Sequence, residues 1–211
     1  MTVKIDVRSN ADEVLKKLNV FQKKHIPLIV SDALNEVGVD AVNALRSQFA
    51  KKLDRPKPDT VKSPVLFKAK PKDLSALVFI KDKWNKGKAP AEYLEPMLEG
   101  STRLPEKNFV ITPRDVTKTN KFGNITKAQR SKYFEDKEKY FTGIPKGIPD
   151  AKYGIWERMS SGASGSSIRK VVNLAKSQRF AKRFDFFKTI NGVVKAKMNK
   201  ALDKNMRKYV K

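Results

Sequence analysis

Positive charge is the feature that most limits what this 211-residue sequence can fold into. Lysine and arginine number 46 against 22 aspartates and glutamates, which gives a formal net charge of +24. Such an excess opposes compaction of an isolated chain and calls for an anionic partner. Nucleic acid is the first candidate for that partner, and an anionic membrane surface is the second. Apolar residues make up 39% of the chain, enough for a modest core.

The charge is concentrated near the C-terminal end. Residues 169–211 carry 14 basic and two acidic side chains, a net charge of +12, whereas residues 1–50 carry seven basic and six acidic ones. Residues 185–210 are predicted to form one long helix. At about 100° per residue, its basic side chains share one arc of roughly 100°. These side chains are Lys197, Lys200, Lys204, Arg207, Lys208 and Lys211. The neighbouring, apolar arc holds Phe187, Val194, Met198, Leu202, Met206 and Tyr209.

A one-sided basic face of this kind suits the neutralisation of DNA phosphates with release of counterions. A solvated lysine face on an ordinary helix is the alternative. The helix could also lie on a membrane, but its apolar arc lacks tryptophan, so we do not expect a membrane partner.

Basic and aromatic residues alternate just before this helix. The predicted phosphate-binding set therefore adds Arg179, Lys182 and Arg183. Aromatic rings beside arginine can stack on unpaired bases. The favoured alternative is that Phe180, Phe184 and Phe187 anchor the terminal helix to a sheet.

Strands and helices alternate without βαβ regularity, which predicts an α+β fold with a largely antiparallel sheet packed against long helices. We expect one domain over residues 1–211, with a polar insertion at 115–139 and the basic helix at 185–211. Predicted helices cover about 11–24, a segment opened by Pro27 that ends near Leu53, and 90–98. Predicted strands cover 3–7, 61–69, 74–81, 109–111, 153–158 and 168–174. The strand at 74–81 is expected to be well buried, and the serine-rich segment 160–167 to form a hairpin or linker.

Catalytic chemistry finds little support. The chain has one histidine, His25, and no cysteine, so the usual pairs of nucleophile and base are missing. His25 is expected to be a surface residue or part of a helix end. No nucleotide-binding loop, paired-acid motif or metal-ligand spacing is present. We therefore predict no enzymatic activity, no cofactor and no metal site.

The lack of cysteine fits a reducing compartment. The first residues do not resemble a signal peptide, and no apolar run approaches the roughly 20 residues needed to span a bilayer. We expect the protein to be made and used in a cytoplasm.

Several segments, taken in order, resemble the phage minor tail protein Z family, typified by the tail-completion protein of lambda-like phages. They are Ser9–Leu18, Ile26-Pro27 with Ala33–Asn35, Pro90–Leu94 with Gly100 and Arg103, Gly154–Arg158 after Pro145–Gly147, and Arg183–Phe186. The resemblance implies a structural subunit at the head-proximal end of the tail, needed for the tail to join a DNA-filled head. It also implies a ring, commonly of six copies, beside tail terminator, tail tube and neck proteins. The expected location is the virion, reached through the host cytoplasm.

Two other functions stay open. A free-standing, sequence-nonspecific nucleic-acid-binding protein would be basic for that reason alone. A nuclease would need a site that the sequence does not display. Positive charge could also face acidic tail proteins, so packaged DNA is not its only explanation.

Overall fold

The computed structural model describes residues 11–83, 87–105, 109–162 and 165–209. The strand predicted at 3–7 therefore lies outside the described residues. The chain divides into two compact units. The first unit combines Met1–Ser47, Lys62–Lys81 and Phe186–Lys211, and the second combines Gln48–Val61 with Asp82–Asp185.

Helical structure is continuous across Pro27. Helix α1 spans Ala11–Val20, a π-helical turn follows at Phe21–His25, and α2 spans Ile26–Lys52. The sequence predicted both helices but not the turn that joins them. Proline clashes with the carbonyl four residues before it in a regular α-helix. In the wider π turn the N–H of Ile26 instead bonds the carbonyl of Phe21, five residues back. The π turn thus lies directly before Pro27, where a regular α-helix would place a carbonyl against the proline ring.

A two-stranded antiparallel ribbon packs on α2 in the first unit. Strand β1 spans Pro64–Phe67 and β2 spans Leu77–Ile80. Asn35 of α2 holds the chain beyond β1 at two points, because its amide donates to the Ala69 carbonyl at 3.0 Å and accepts from the Ala69 N–H at 2.8 Å. The predicted burial of the segment 74–81 is wrong. Leu77 is 61% exposed, because a two-stranded ribbon has no second layer to cover its outer face.

Helix α6, spanning Phe186–Tyr209, packs antiparallel to α2 and completes the first unit. Lys197 contacts Asp40, and Tyr209, later in α6, contacts Asp32, earlier in α2, so the two helices run in opposite directions. The core between them consists of small and branched side chains. They are Ala33, Val37 and Ala201, with Val193, Val194, Met198 and Leu202 packed around them.

The second unit contains a four-stranded antiparallel sheet in the order β4-β7-β6-β5. These strands span Val110–Pro113 (β4), Tyr140–Gly143 (β5), Gly154–Gly162 (β6) and Gly165–Ala175 (β7). The short strands β3 and β8, at Thr102–Arg103 and Gln178–Arg179, form a separate pair. The unit's helices are α3 at Pro58–Val61, α4 at Pro90–Glu99 and α5 at Lys127–Glu135. Of the hairpin and the linker expected at 160–167, the structure supports the hairpin, because β6 and β7 pair up to Gly162 and Gly165.

The polar segment 115–139 is tied into the core of the second unit. Tyr133 of α5 is 5% exposed and packs edge-on against Tyr140 at 5.1 Å between ring centres. Thr117 is buried and donates to the Val171 carbonyl of the central strand. Most side chains of this segment are polar because they face solvent, but a few of them are buried in the core.

The predicted fold class, α+β with antiparallel sheets and helices and a long C-terminal helix, is confirmed. Within the described residues, no helix is long and apolar enough to cross a membrane.

Candidate nucleic-acid interface

The basic face of α6 is divided into two parts by the acids of α2. Lys197 bonds Asp40 at 2.7 Å, and Lys204 bonds Glu36 at 2.8 Å. These lysines border the buried stripe of the helix. Lys200 and Arg207 lie farther from the α2 side of the helix. Both are exposed, and neither has an ion pair among the described residues. The fifth and sixth predicted positions differ again, since Lys208 donates to the Asn205 side chain and Lys211 lies outside the described residues.

A buried amide links the two helices beneath this face. Asn205 is fully buried, and its Nδ2 donates to Glu36 at 3.3 Å and to the Ala201 carbonyl at 2.8 Å. Its Oδ1 accepts from Lys208. The hydrogen bond from Lys204 is the main reason that the pKa of Glu36 lies below its ordinary value. Glu36 is therefore a charged partner that holds Lys204 and Asn205 close to α2.

The three basic residues predicted before α6 belong to the second unit, so they are described apart from the helix face. Arg179 lies in β8, and Lys182 bonds Asp185 at 2.8 Å. Arg183 has an exposed side chain, and its N–H donates to the Met97 carbonyl at 2.8 Å. That backbone bond fixes where its guanidinium emerges.

The predicted aromatic anchors behave differently from one another. Phe184 is 3% exposed and packs at 4.7 Å on Phe49, so it is buried, but its partner belongs to α2 and the predicted anchoring to a sheet is wrong. Phe187 is 74% exposed, so the prediction that it is an anchor is wrong. Phe180 is half-buried and lines a cavity.

This cavity lies wholly within the second unit and has a volume of about 590 Å³. Ligand pockets of this size are typical of small-molecule and cofactor sites. Its described lining combines cations with rings. The cationic members are Lys52, Arg55, Lys57, Lys88, Arg103 and Arg183, the acids are Asp54 and Asp59, and the aromatic members are Tyr93, Phe122 and Phe180.

Phe122 reaches the cavity from a tight turn within the polar segment 115–139. The side chain of Asn120 accepts from the N–H groups of Phe122 and Asn124 at 3.0 and 3.1 Å, and the backbones of Asn120 and Asn124 are also bonded. Gly123 completes the turn with a φ of +72°, a conformation that favours glycine. An asparagine-closed turn of this kind fixes the backbone from which the ring of Phe122 extends, without help from a sheet.

Arg55 approaches the same turn from the end of α2. Its guanidinium lies against Gly123, where an added Cβ would come within 2.9 Å of Nη2. The side chain also forms two hydrogen bonds to Asp54, at 3.1 and 3.2 Å. These bonds raise the pKa of Arg55 and lower the pKa of Asp54, so both groups stay charged. The backbone of Arg55 has a φ of +44°, which is uncommon outside glycine and costs of order 1 kcal/mol or more.

His25 lies between two aromatic rings of the first unit. It is half-buried at the end of the π turn, with ring centres 5.4 Å from Phe21 and 5.7 Å from Tyr209. Its Nδ1 has no hydrogen-bond partner among the residues that the structure describes. The same part of the chain contains no group of three or more histidine, cysteine or acidic side chains placed to hold a metal ion.

Sequence reasoning missed the cavity. It placed the end of a helix near Leu53 and interpreted the segment 115–139, which includes Phe122, only as a polar insertion. The available signal was Asn120-Lys121-Phe122-Gly123-Asn124, where an asparagine and a glycine flank a ring in an otherwise polar segment. Only the fold brings this turn to the arginine.

Comparisons with protein-family models, with curated proteins and with solved structures found no match.

Proposed function

We propose that this chain is a structural protein of a bacteriophage tail. It completes the head-proximal end of the tail as a ring of six copies and so allows the tail to join the head. Its partners are the tail terminator, tail tube and neck proteins, with packaged DNA as a further contact. It is not an enzyme and needs no cofactor. The phage assignment rests on the sequence resemblance described above.

The observation that carries an assembly role is that a strongly basic chain leaves several large apolar side chains exposed. Leu77, Leu104, Ile144 and Phe187 are each at least 60% exposed. Burial of such side chains contributes about 25 cal/mol per Å² of apolar surface, which a ring interface could recover. Meanwhile +24 charges per copy repel one another until salt or an acidic partner screens them. Assembly on the tail, and not in dilute solution, follows from this balance.

Location in the particle tests the assignment most directly. Gold-labelled antibody against this chain should mark the head-proximal end of isolated tails in electron micrographs. Phages that lack the gene should yield tails of normal length that do not join heads, and complementation should restore joining. Label absent from purified particles, with the protein instead on cellular nucleic acid, would favour a free-standing nucleic-acid-binding protein.

Copy number tests the ring separately. Quantitative mass spectrometry of purified tails should give six copies of this chain for each tail. One copy per tail would refute a ring but leave the location unaffected.

DNA contact is expected from the outer part of the α6 face. Lys200 and Arg207 can meet phosphates at once, whereas Lys197 and Lys204 would first have to release their carboxylates. Each phosphate contact contributes about 0.9 to the slope of log affinity against log salt on duplex DNA. The double variant K200Q/R207Q should therefore flatten that slope by about 1.8.

The variant K197Q/K204Q is the matched control, because it removes the same charge from the same helix. It should flatten the slope by less than one. Equal effects of the two variants would show that the chain responds only to its net charge and that α6 presents no ordered phosphate contact.

A further inference from the structure

The cavity of the second unit has a chemistry that neither assembly nor backbone contact on α6 requires. We propose that it binds unpaired nucleotides of a single-stranded nucleic acid, with phosphate held by its cations and a base held against its rings. This inference does not depend on the phage assignment. It concerns a site in the second unit, whereas the α6 face belongs to the first.

Charge selects an anionic ligand. Six cationic side chains against two acidic ones line the described part of the cavity. Arg55 and Asp54 already pair with each other through two hydrogen bonds, which leaves five cations against the single acid Asp59. Arginine is suited to phosphate because its planar group offers several donors in a fixed geometry. Arg103 and Arg183 supply guanidinium groups to the cavity, and the backbone N–H of Arg183 is bonded to the Met97 carbonyl.

The aromatic rings narrow the choice of anion. Free phosphate or a sugar phosphate would bind the cations but has no planar group to stack on the aromatic rings. Phe122 is held by its asparagine-closed turn, and Phe180 by the bond of its N–H to the Ser101 carbonyl at 3.1 Å. Tyr93 lies on the same lining, with its hydroxyl 2.8 Å from Thr60. Rings fixed in this way next to arginines match the way proteins stack unpaired bases.

The base must be unpaired to use this site. In a duplex the faces of the bases are stacked on one another and are not accessible to rings inside a cavity. Duplex DNA could reach only the cations at the rim. An acidic peptide could also reach the cations but would gain nothing from the rings. A nucleotide with an unpaired base uses both groups, and a single strand is made of such nucleotides.

Ring removal provides the sharpest experiment. The full chain is titrated into fluorescently labelled octathymidylate, and into a blunt duplex of equal length, with binding followed by anisotropy. The variants F122L and F180L keep apolar bulk but lose the aromatic face. Each should weaken octathymidylate binding by about 5- to 150-fold, the equivalent of one stacked base. Duplex binding should stay within about twofold.

Matched controls come from α5, outside the cavity. Phe134 is 46% exposed, so F134L removes an accessible ring elsewhere in the same unit. R183Q should weaken octathymidylate binding and flatten its salt slope by about 0.7, the single-strand value for one contact, whereas R130Q on α5 should do neither. Circular dichroism of each variant verifies that the fold is kept.

Three results would overturn the proposal. F122L and F180L could bind octathymidylate as the unaltered chain does. They could lose single-strand and duplex binding equally, which would indicate a general electrostatic surface. Alternatively, polyglutamate of equal charge could displace octathymidylate from the unaltered chain as effectively as unlabelled octathymidylate does, which would assign the cavity to an acidic protein segment.

Discussion

Replacing Asn205 tests whether one buried amide sets the pairing of α2 with α6. In the variant N205A the bond to the Glu36 carboxylate is lost, and a cavity opens at a position with no exposed surface. Glu36 is 38% exposed, so it recovers part of the lost hydrogen bond from water. With the packing loss added, we expect destabilisation of about 2 kcal/mol.

Urea unfolding followed by circular dichroism at 222 nm measures this change, because the long helices of the first unit dominate the signal. The control is N199A, which removes an exposed asparagine from the same helix and should change stability by less than about 0.5 kcal/mol. N205L separates packing from hydrogen bonding, since it fills the space without polar atoms. Equal stabilities of N205A and N199A would refute the role assigned to the amide.

Three further changes test the packing and charge of the two units. G154A places a Cβ about 2.5 Å from the Val172 carbonyl, so it should destabilise the sheet by about 1–3 kcal/mol in urea unfolding followed by tryptophan fluorescence, and an unchanged midpoint would contradict the close approach. N35A should cost about 1–3 kcal/mol and expose the Ala69 amide to rapid hydrogen exchange, whereas slow exchange in the variant would count against the two-point contact. The hydrogen bond from Arg169 is the main reason that the pKa of Glu157 lies below its ordinary value of 4.5. The stability that the ionised Glu157 contributes is therefore complete above pH 4.5 and is lost as the pH falls through the lowered pKa of the folded protein. Acid titration of E157Q should then lack this part of the stability loss, and parallel titration curves would show that the carboxylate contributes none of it.

The helices were predictable because their ends carry local signals. Pro90 begins α4, and Gly100 ends it with a φ of +76°, which glycine adopts without strain. Pro27 likewise marks the start of α2 within one residue. The π turn before it was not predictable, because apolar spacing distinguishes helix from strand but not one helical hydrogen-bond pattern from another.

Burial was predicted less well than secondary structure. The run Leu74–Lys81 has the composition of a buried strand, yet its burial depends on how many layers cover it, which no local pattern specifies. Phe187 shows the same limit on a helix, because a ring at an apolar position is buried only if a neighbour reaches it.

The candidate sites show how charge patterns can mislead. The arc of lysines on α6 was correctly placed on one helix, but the pairing of Lys197 and Lys204 with acids of α2 depends on contacts more than 150 residues apart in sequence. The cavity required three distant segments to meet, around Arg55, Phe122 and Phe180. Such juxtapositions come from the tertiary fold and leave little trace in residue spacing.

The pairing of α2 with α6 also has a consequence during translation. About 130 residues separate the end of α2 from the start of α6, so at roughly 5–20 residues per second the ribosome needs on the order of 10 s to supply the partner. Throughout that interval the stripe around Ala33 and Val37 has no α6 to cover it. A nascent chain in this state is a substrate for chaperones that hold apolar helices. Truncated products that stop before residue 186 should be degraded or aggregate sooner than full-length chains.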